Sequence, residues 1–556
     1  MFGKLVDPDG GSFSIEGAHG PLQGEQVYVR NTNVLTTQLT TLDGSILKVT
    51  DFFPRFLQGE NTVRPLALHR IVEPIQGSPV VRVRCEPVRG WEKTALASQT
   101  TGSGFRFEAL DGTLQLATTM PLTYLQDGSP FTLKDTLYFS LTWNSDPEQD
   151  LAAATRSHLE KTLRYWDTWV KHCTIPSHYQ RATIRSALAL KLHCYEDTGA
   201  ILAALTTSLP EQIGHERNWD YRFCWLRDAY FCLSAFRNLG HFEEMEGFLT
   251  FLLNIANAHD YEALAPVYRL DRTLPLPETS HDNWSGFAAS RPVRSGNQAA
   301  EHVQNDVYGE MALTFAPIFF DDRFVEMRTE AHERLFAKIT KLCAKMVSQP
   351  DAGLWELRNG WQEHSFSNLM CWAGLERASR IQKRGYLAGL EIDLETQLAR
   401  ATQALERAVR DRVLTNGPAD ATLDASSLLL PMLNFPDAAV NAATVEKIWK
   451  DLRFEESEKG RAFLYRYLRA DDFGVPQAPF LICSFWLVQA LAKVGRKQEA
   501  LGVMEGILSS SNGLGLLAEH YHPATGCQSG NFPQAYSHVG LINAAFALSP
   551  EWDQVL

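Results

Sequence analysis

The pattern of apolar and polar positions divides the chain near residue 150. From residue 11 to about 145, short runs rich in β-branched residues alternate with turn signals, which is the texture of strands. Asp43-Gly44 separates VLTTQLTTL from SILKVTDFF, and Asp111-Gly112 separates FRFEAL from TLQLATT. Asp-Gly tolerates the positive φ angles that tight hairpin turns need, so both pairs are predicted hairpins and the region is expected to be an antiparallel β-sandwich.

After Asp150 the pattern turns helical. LAAATRSHLEKTLRYWDTWVKHC is a predicted helical linker, which sets expected boundaries of 1–148 for the sandwich, 149–175 for the linker and 176–556 for a helical domain. Ser177 and Gln180 have the residue types of a capping box, and Ile184, Leu188, Leu192 and Tyr195 recur at i+4 as one buried face. About twelve helical segments follow, roughly 32 residues apart, which suggests six inner and six outer helices in an (α/α)6 toroid. The expected fold is therefore a multidomain α+β chain, a sandwich followed by an all-α toroid.

Composition narrows the partners. At 556 residues the chain exceeds what one core usually organises. Its formal net charge of -13 argues against nucleic acid or an anionic membrane and for a small neutral or cationic substrate. Nine cysteines without CxxC pairs suit reduced thiols and offer no zinc ladder. MFGKLVDPDGG lacks the basic and apolar regions of a signal peptide, so a soluble, cytoplasmic protein is expected.

Three segments concentrate chemistry. RNWDYRFCWLRDA, residues 217–229, packs charged pairs and aromatics into a loop-to-helix junction. Aromatic faces stack on sugar rings, and Arg and Asp bond vicinal hydroxyls in pairs. The plainer reading is an Arg227–Asp228 ion pair with Trp219 and Trp225 filling core. In residues 351–378, Glu356 stands beside Trp355 and Leu354, an apolar setting that would raise its pKa and suit a proton donor. Glu363, among Gln362, His364 and Ser365, reads as a solvated carboxylate. In residues 513–538, Glu519 ends an apolar run and enters a Gly- and Pro-rich loop, the setting of a candidate base. His520, His522 and His538 lack metal-ligand spacing, no GxGxxG or P-loop points to a nucleotide, and no GxSxG points to a serine nucleophile, so no metal or other cofactor is expected.

At these segments the chain resembles glycoside hydrolase family 15, the glucoamylase and bacterial trehalase-like group. NWDYRFCWLRDA, SRPVRSGNQAAEHVQNDVYGE, GLWELR, LMCWAGLERA, LDASSLLLP, FLICSFWLVQAL, GLLAEHYHPATG and GNFPQAYSHVGLI follow the family's order. The resemblance implies the sandwich-plus-toroid architecture and an inverting, exo-acting hydrolase that releases glucose from an α-glucoside. It places Glu356 on the general acid and Glu519 on the general base, which inverting enzymes hold roughly 6.5–9.5 Å apart. It places Arg227 and Asp228 against the terminal glucose hydroxyls, Trp225, Trp355, Arg291 and Arg466 in the wall of the sugar pocket, and Ser537 on the base. Asn368 and Gln477 stand where relatives carry charge, which bears on substrate identity, and the resemblance leads to the expectation of a sandwich shortened at its N-terminal end.

Two other classes fit parts of the pattern: a non-catalytic carbohydrate-binding or regulatory domain on the same scaffold, and an inverting phosphorylase. Both acid and base positions are filled, which argues for hydrolysis. Glu519 argues against phosphorolysis, since phosphate needs a cationic pocket in place of the base.

Overall fold

The computed structural model describes residues 2–108, 111–258 and 263–556. Two compact units emerge, Met1–Cys173 with His281–Pro292, and Thr174–Ser280 with Val293–Leu556.

In the first unit, eight antiparallel strands form one sheet in the order Ser98–Thr100, Gly104–Glu108, Thr113–Thr118, Leu137–Trp143, Ala67–Gln76, Ile46–Phe52, Leu35–Thr40 and Gln23–Tyr28. A second sheet joins Ser12–Gly17, Val80–Glu86 and Phe131–Thr132. Both Asp-Gly hairpins form, Leu35–Thr40 pairing with Ile46–Phe52 and Gly104–Glu108 with Thr113–Thr118. The end of the FRFEAL run, Ala109 and Leu110, lies outside the described residues.

Alternation along the strands builds two cores. Leu47, Val49, Val72, Phe139 and Leu141 of the large sheet pack with Val81 and Val83 of the small one. Phe52, Ile71 and Tyr138 point the other way and meet Leu151, Leu159 and Leu163. The last three belong to α2 (Leu151–Lys171), which follows the short α1 (Leu122–Asp127) and is capped by Asp150 accepting from the Ala153 N–H at 3.0 Å. The segment expected as a linker is thus a helix packed within the first unit, because its apolar stripe covers the sheet's second face.

The second unit is helical. Its helices are α3 (Gln180–His193), α4 (Leu226–Leu239), α5 (Phe242–Ala258), α6 (Asp306–Phe315), α7 (Pro317–Phe320), α8 (Glu330–Met346), α9 (Ser365–Gln382), α10 (Leu394–Glu406), α11 (Leu429–Met432), α12 (Ala438–Asp451), α13 (Leu481–Lys493), α14 (Lys497–Leu508) and α15 (Ala535–Leu548). Packing runs in a closed circuit: α4 touches α6, α6 touches α9, α9 touches the 3-10 turn Ala425–Leu428 that leads into α11, that turn and α11 touch α13, α13 touches α15, and α15 touches α4. Helices α5, α8, α10, α12, α14 and α3 pack against successive members of the circuit. Among the described residues, no helix is long and apolar enough to cross a membrane.

The capping box at Ser177 does not form. Helix α3 starts three residues later, the Ser177 hydroxyl donates to the Pro550 carbonyl, and Gln180 reaches back to the Ser177 carbonyl. The predicted face also differs: Leu188 is buried, but Leu192 and Tyr195 are exposed, while Arg185, Ser186 and Lys191 are enclosed. Lys191 donates to Glu244 of α5 at 2.6 Å, so ion pairing lets this helix bury polar positions that periodicity assigns to solvent.

Candidate active site

The segments that lead into the N-termini of the circuit helices line one cleft. Trp225, Arg227 and Asp228 come from the start of α4, Asn297 and Ala299 from the approach to α6, and Trp355 and Glu356 from the loop before α9. Arg466 and Phe480 precede α13, and Glu519 and Gln534 precede α15. Gly and Pro in these segments end helices and turn the chain sharply.

Glu356 sits in a tight turn with φ 63°, a conformation that costs a non-glycine residue about 1–3 kcal/mol. Its amide donates to the Gly353 carbonyl at 3.1 Å and the Leu357 amide to Ala352 at 3.0 Å. Asp351 anchors the base of this turn, accepting from Asn305 N–H, Ser367 Oγ and Gly353 N–H. Burial, with Asp306 nearby, pushes the Asp351 carboxyl up to about 7.

The apolar setting expected for Glu356 is not what surrounds it. Trp225 Nε1–H donates to Oε1 at 2.6 Å, Arg227 at 3.2 Å and Gln304 Nε2 at 3.3 Å. Trp355, its sequence neighbour, turns away and donates Nε1–H to Asp424 at 2.9 Å. Sequence adjacency misleads here because the turn sends consecutive side chains to different walls. All three donors address Oε1, and among the described residues none reaches Oε2, the oxygen left for a ligand.

Arg227 is enclosed and links several acids. It donates to Gln304 Oε1 at 2.7 Å and lies 3.8 Å from Asp228 and 3.9 Å from Asp306. Burial works against its charge, but Glu356, Asp228 and Asp306 outweigh burial and hold it ionised. For Asp228, burial dominates and raises the carboxyl to about 7; Arg227 opposes this, while Glu356 and Glu519 add to it.

Glu519 is buried and held from several sides. The Tyr221 hydroxyl donates to Oε1 at 2.9 Å, and Gln534 Nε2 approaches the same oxygen at 3.4 Å. Burial and the Glu519 carboxylate push the Tyr221 phenol well above its ordinary range, so it remains a donor. Gly530, at φ 87°, passes so close that an added Cβ would stand 2.8 Å from Glu519 Cβ.

The remaining expectations divide. Arg466 lines the cleft and grips Glu211 through NH1 at 3.0 Å and NH2 at 3.3 Å; Glu211, despite burial, is held below the ordinary range chiefly by Arg466. Ser537 does not hydrogen-bond Glu519. Its hydroxyl lies 2.8 Å from the Ala518 carbonyl and 2.9 Å from Gln534 Oε1, and Gln534 in turn reaches Glu519. Arg291 is exposed, belongs to the first unit and is not part of the cleft lining. Neither Asn368 nor Gln477 lines the cleft: Asn368 bonds Ser348 and Glu363, and Gln477 is exposed. Glu363 pairs with Arg407 at 2.8 Å, away from the lining.

Tyr221, Gln304, Gln534 and Glu211 went unread in the sequence. Tyr221 lies inside the densest motif, where its aromatic ring flanked by charges was the available signal; Gln304 and Gln534 lie inside the motifs SRPVRSGNQAAEHVQNDVYGE and GNFPQAYSHVGLI, and Glu211 lies in none.

A cleft walled by aromatic rings and lined by several carboxylates and guanidinium groups, Glu356, Glu519, Asp228, Arg227 and Arg466 among them, has the side-chain types of a glycoside hydrolase site. Comparison with known proteins gives the family: residues 177–546 match the model for "Glycosyl hydrolases family 15", and the chain belongs to it. It is 32% identical over 511 residues to a trehalase of Mycolicibacterium smegmatis, covering 86% of this chain and 73% of that protein. With a trehalase of Thermoplasma acidophilum it shares 29% identity over 569 residues, 98% of this chain and 94% of that one. The solved glucoamylase from Saccharomycopsis fibuligera matches with TM-score 0.48 and 13% identity, over 68% of this chain and 98% of that one.

Proposed function

We propose that this enzyme is an inverting, exo-acting α-glucosidase and that trehalose is its substrate, with Glu356 as general acid and Glu519 as general base. One observation carries the reading: the two carboxylates enter a single cleft from the loops that precede helices α9 and α15, which stand three places apart in a circuit of six. That circuit is read as an (α/α)6 toroid, whose opposite sides then supply acid and base, and the first unit as a sandwich over its two-sheet core. No hydrogen bond joins the pair, in keeping with a substrate and a water between them.

The chemistry follows from these positions. Arg227 and Asp228 hold hydroxyls of one glucose against the ring of Trp225. Protonated Glu356 gives its proton to the glycosidic oxygen as the C1–O bond breaks. Glu519 takes a proton from water, whose oxygen bonds to C1 from the opposite face, and the product leaves as β-glucose. Exchange with solvent then returns Glu356 to the acid form and Glu519 to the carboxylate. Trehalose is favoured among α-glucosides because the curated relatives above are named trehalases.

The test is an assay of purified protein on trehalose, maltose and isomaltose, with and without phosphate. Glucose release from trehalose without phosphate is expected. Sugar binding without turnover, or turnover only with phosphate, would overturn the proposal.

A further inference from the structure

The strand that follows Glu519 carries a histidine whose ring hydrogen has one available position. His520 is completely enclosed and stacks on Phe480, with ring centroids 4.4 Å apart and planes inclined by 24°. Arg466 NH1 lies 3.4 Å from its Nε2 in hydrogen-bonding geometry. A guanidinium only donates, so Nε2 must present its lone pair and the hydrogen of the neutral ring sits on Nδ1. Arg466 cannot swing away, because Glu211 grips both of its terminal nitrogens.

Nδ1 faces Glu519, 3.4 Å from Oε2, and no acceptor satisfies it in the present geometry. The other charged groups around the ring are Arg466 and Glu211, whose Oε2 stands 3.7 Å from Nε2, and Phe480 adds only its ring face. Oε1 of Glu519 is already taken by Tyr221 and Gln534, so His520 addresses the free oxygen. The space is filled to contact: a Cβ on Gly530 would lie 3.1 Å from that oxygen and 3.3 Å from Nδ1. A buried N–H without a partner costs about 1–3 kcal/mol, and hydrogen bonds of this kind tighten when a site fills.

We propose that His520 is a positioning residue which, as the neutral Nδ1–H tautomer set by the Glu211–Arg466 pair, donates to Oε2 of ionised Glu519 and aims it at water. The inference rests on the proposed role of Glu519 as base. An ionised Oε2 accepts from Nδ1–H, whereas an Oε2 that carries a proton has no acceptor there. The arrangement therefore favours the carboxylate and clears the base after each turnover.

Two measurements separate this inference from the function itself. In protein labelled with 15N-histidine, the ring nitrogens of His520, assigned by their loss in His520→Asn, are expected to show the Nδ1–H tautomer at pH 8. An Nε2–H tautomer or a doubly protonated ring overturns the proposal and leaves the role of Glu519 untouched, since no substrate is involved. In kinetics, His520→Asn places an amide nitrogen near Nδ1 and His520→Gln places one near Nε2. We expect His520→Gln to lose at least about tenfold in kcat, with KM held within about twofold and the acidic limb of the rate profile moved to higher pH, while His520→Asn retains most of kcat. Equal losses in both folded variants, with the acidic limb unmoved, overturn it.

Discussion

The Tyr221 hydroxyl donates to Oε1 of Glu519 across 2.9 Å, joining residues 298 positions apart in the chain. One comes from the loop before α4 and the other from the loop before α15, helices that touch each other in the circuit. Removing that hydroxyl leaves Oε1 with the weaker approach of Gln534 at 3.4 Å. Tyr221→Phe is expected to lower kcat by roughly tenfold to a hundredfold, the lower range for a group that orients a general base, with KM less affected. Steady-state kinetics at several pH values check this, and unchanged kcat would remove Tyr221 from the account.

The two carboxylates carry the larger effects. Glu356→Gln and Glu519→Gln are each expected to lose at least about a hundredfold in kcat while the protein still folds. Rate measurements beside thermal melts decide the matter. Full activity in either variant strips that residue of its role.

Asp228 links stability to pH. Its folded carboxyl titrates near 7, above the ordinary 3.8, so the folded state holds this proton more tightly than the unfolded chain. The contribution is fully present below about pH 4 and disappears as pH rises through 7, a change on the order of 4 kcal/mol. Between pH 5 and 8 the melting temperature of the wild type should fall relative to Asp228→Asn, which carries no titrating group. Parallel curves for the two proteins would show that burial there does not hold the proton.

The first unit responds in the opposite direction. Burial, with His158 beside it at 3.0 Å, lowers His69 to about 4, so the unfolded chain takes up protons first as pH falls. Stability from this group is complete above about 6.5 and is lost as pH drops toward 4. His69→Gln should flatten the acid limb of the first unit's unfolding, followed by fluorescence. An acid limb identical to that of the wild type contradicts the assignment.

Much of the architecture was readable because local rules act where they were applied. Gly44, at φ 81°, supplies the turn that Asp-Gly predicts, the strands flanking Asp111-Gly112 pair as expected, and Arg227 and Asp228 lie where a loop runs into the N-terminus of α4. Periodicity failed on α3 because a helix packed on several sides buries Lys191 and Ser186 as well as leucines. Helices α13 and α15 are enclosed almost throughout, and such helices have no polar face to read. Within the site, the sequence could not show that Trp355 turns toward Asp424, that Ser537 bonds Gln534, or that Arg291 is not part of the cleft lining. Those outcomes depend on turn geometry and on contacts between distant segments, which neighbouring residues do not encode.

Proton NMR of the first glucose formed from trehalose, recorded before mutarotation, tests the proposed chemistry most directly. Attack by water with inversion at one anomeric carbon yields β-glucose, while the departing half keeps its α configuration. The two anomers are expected in equal amounts at the earliest times. Initial release of α-glucose alone would contradict it.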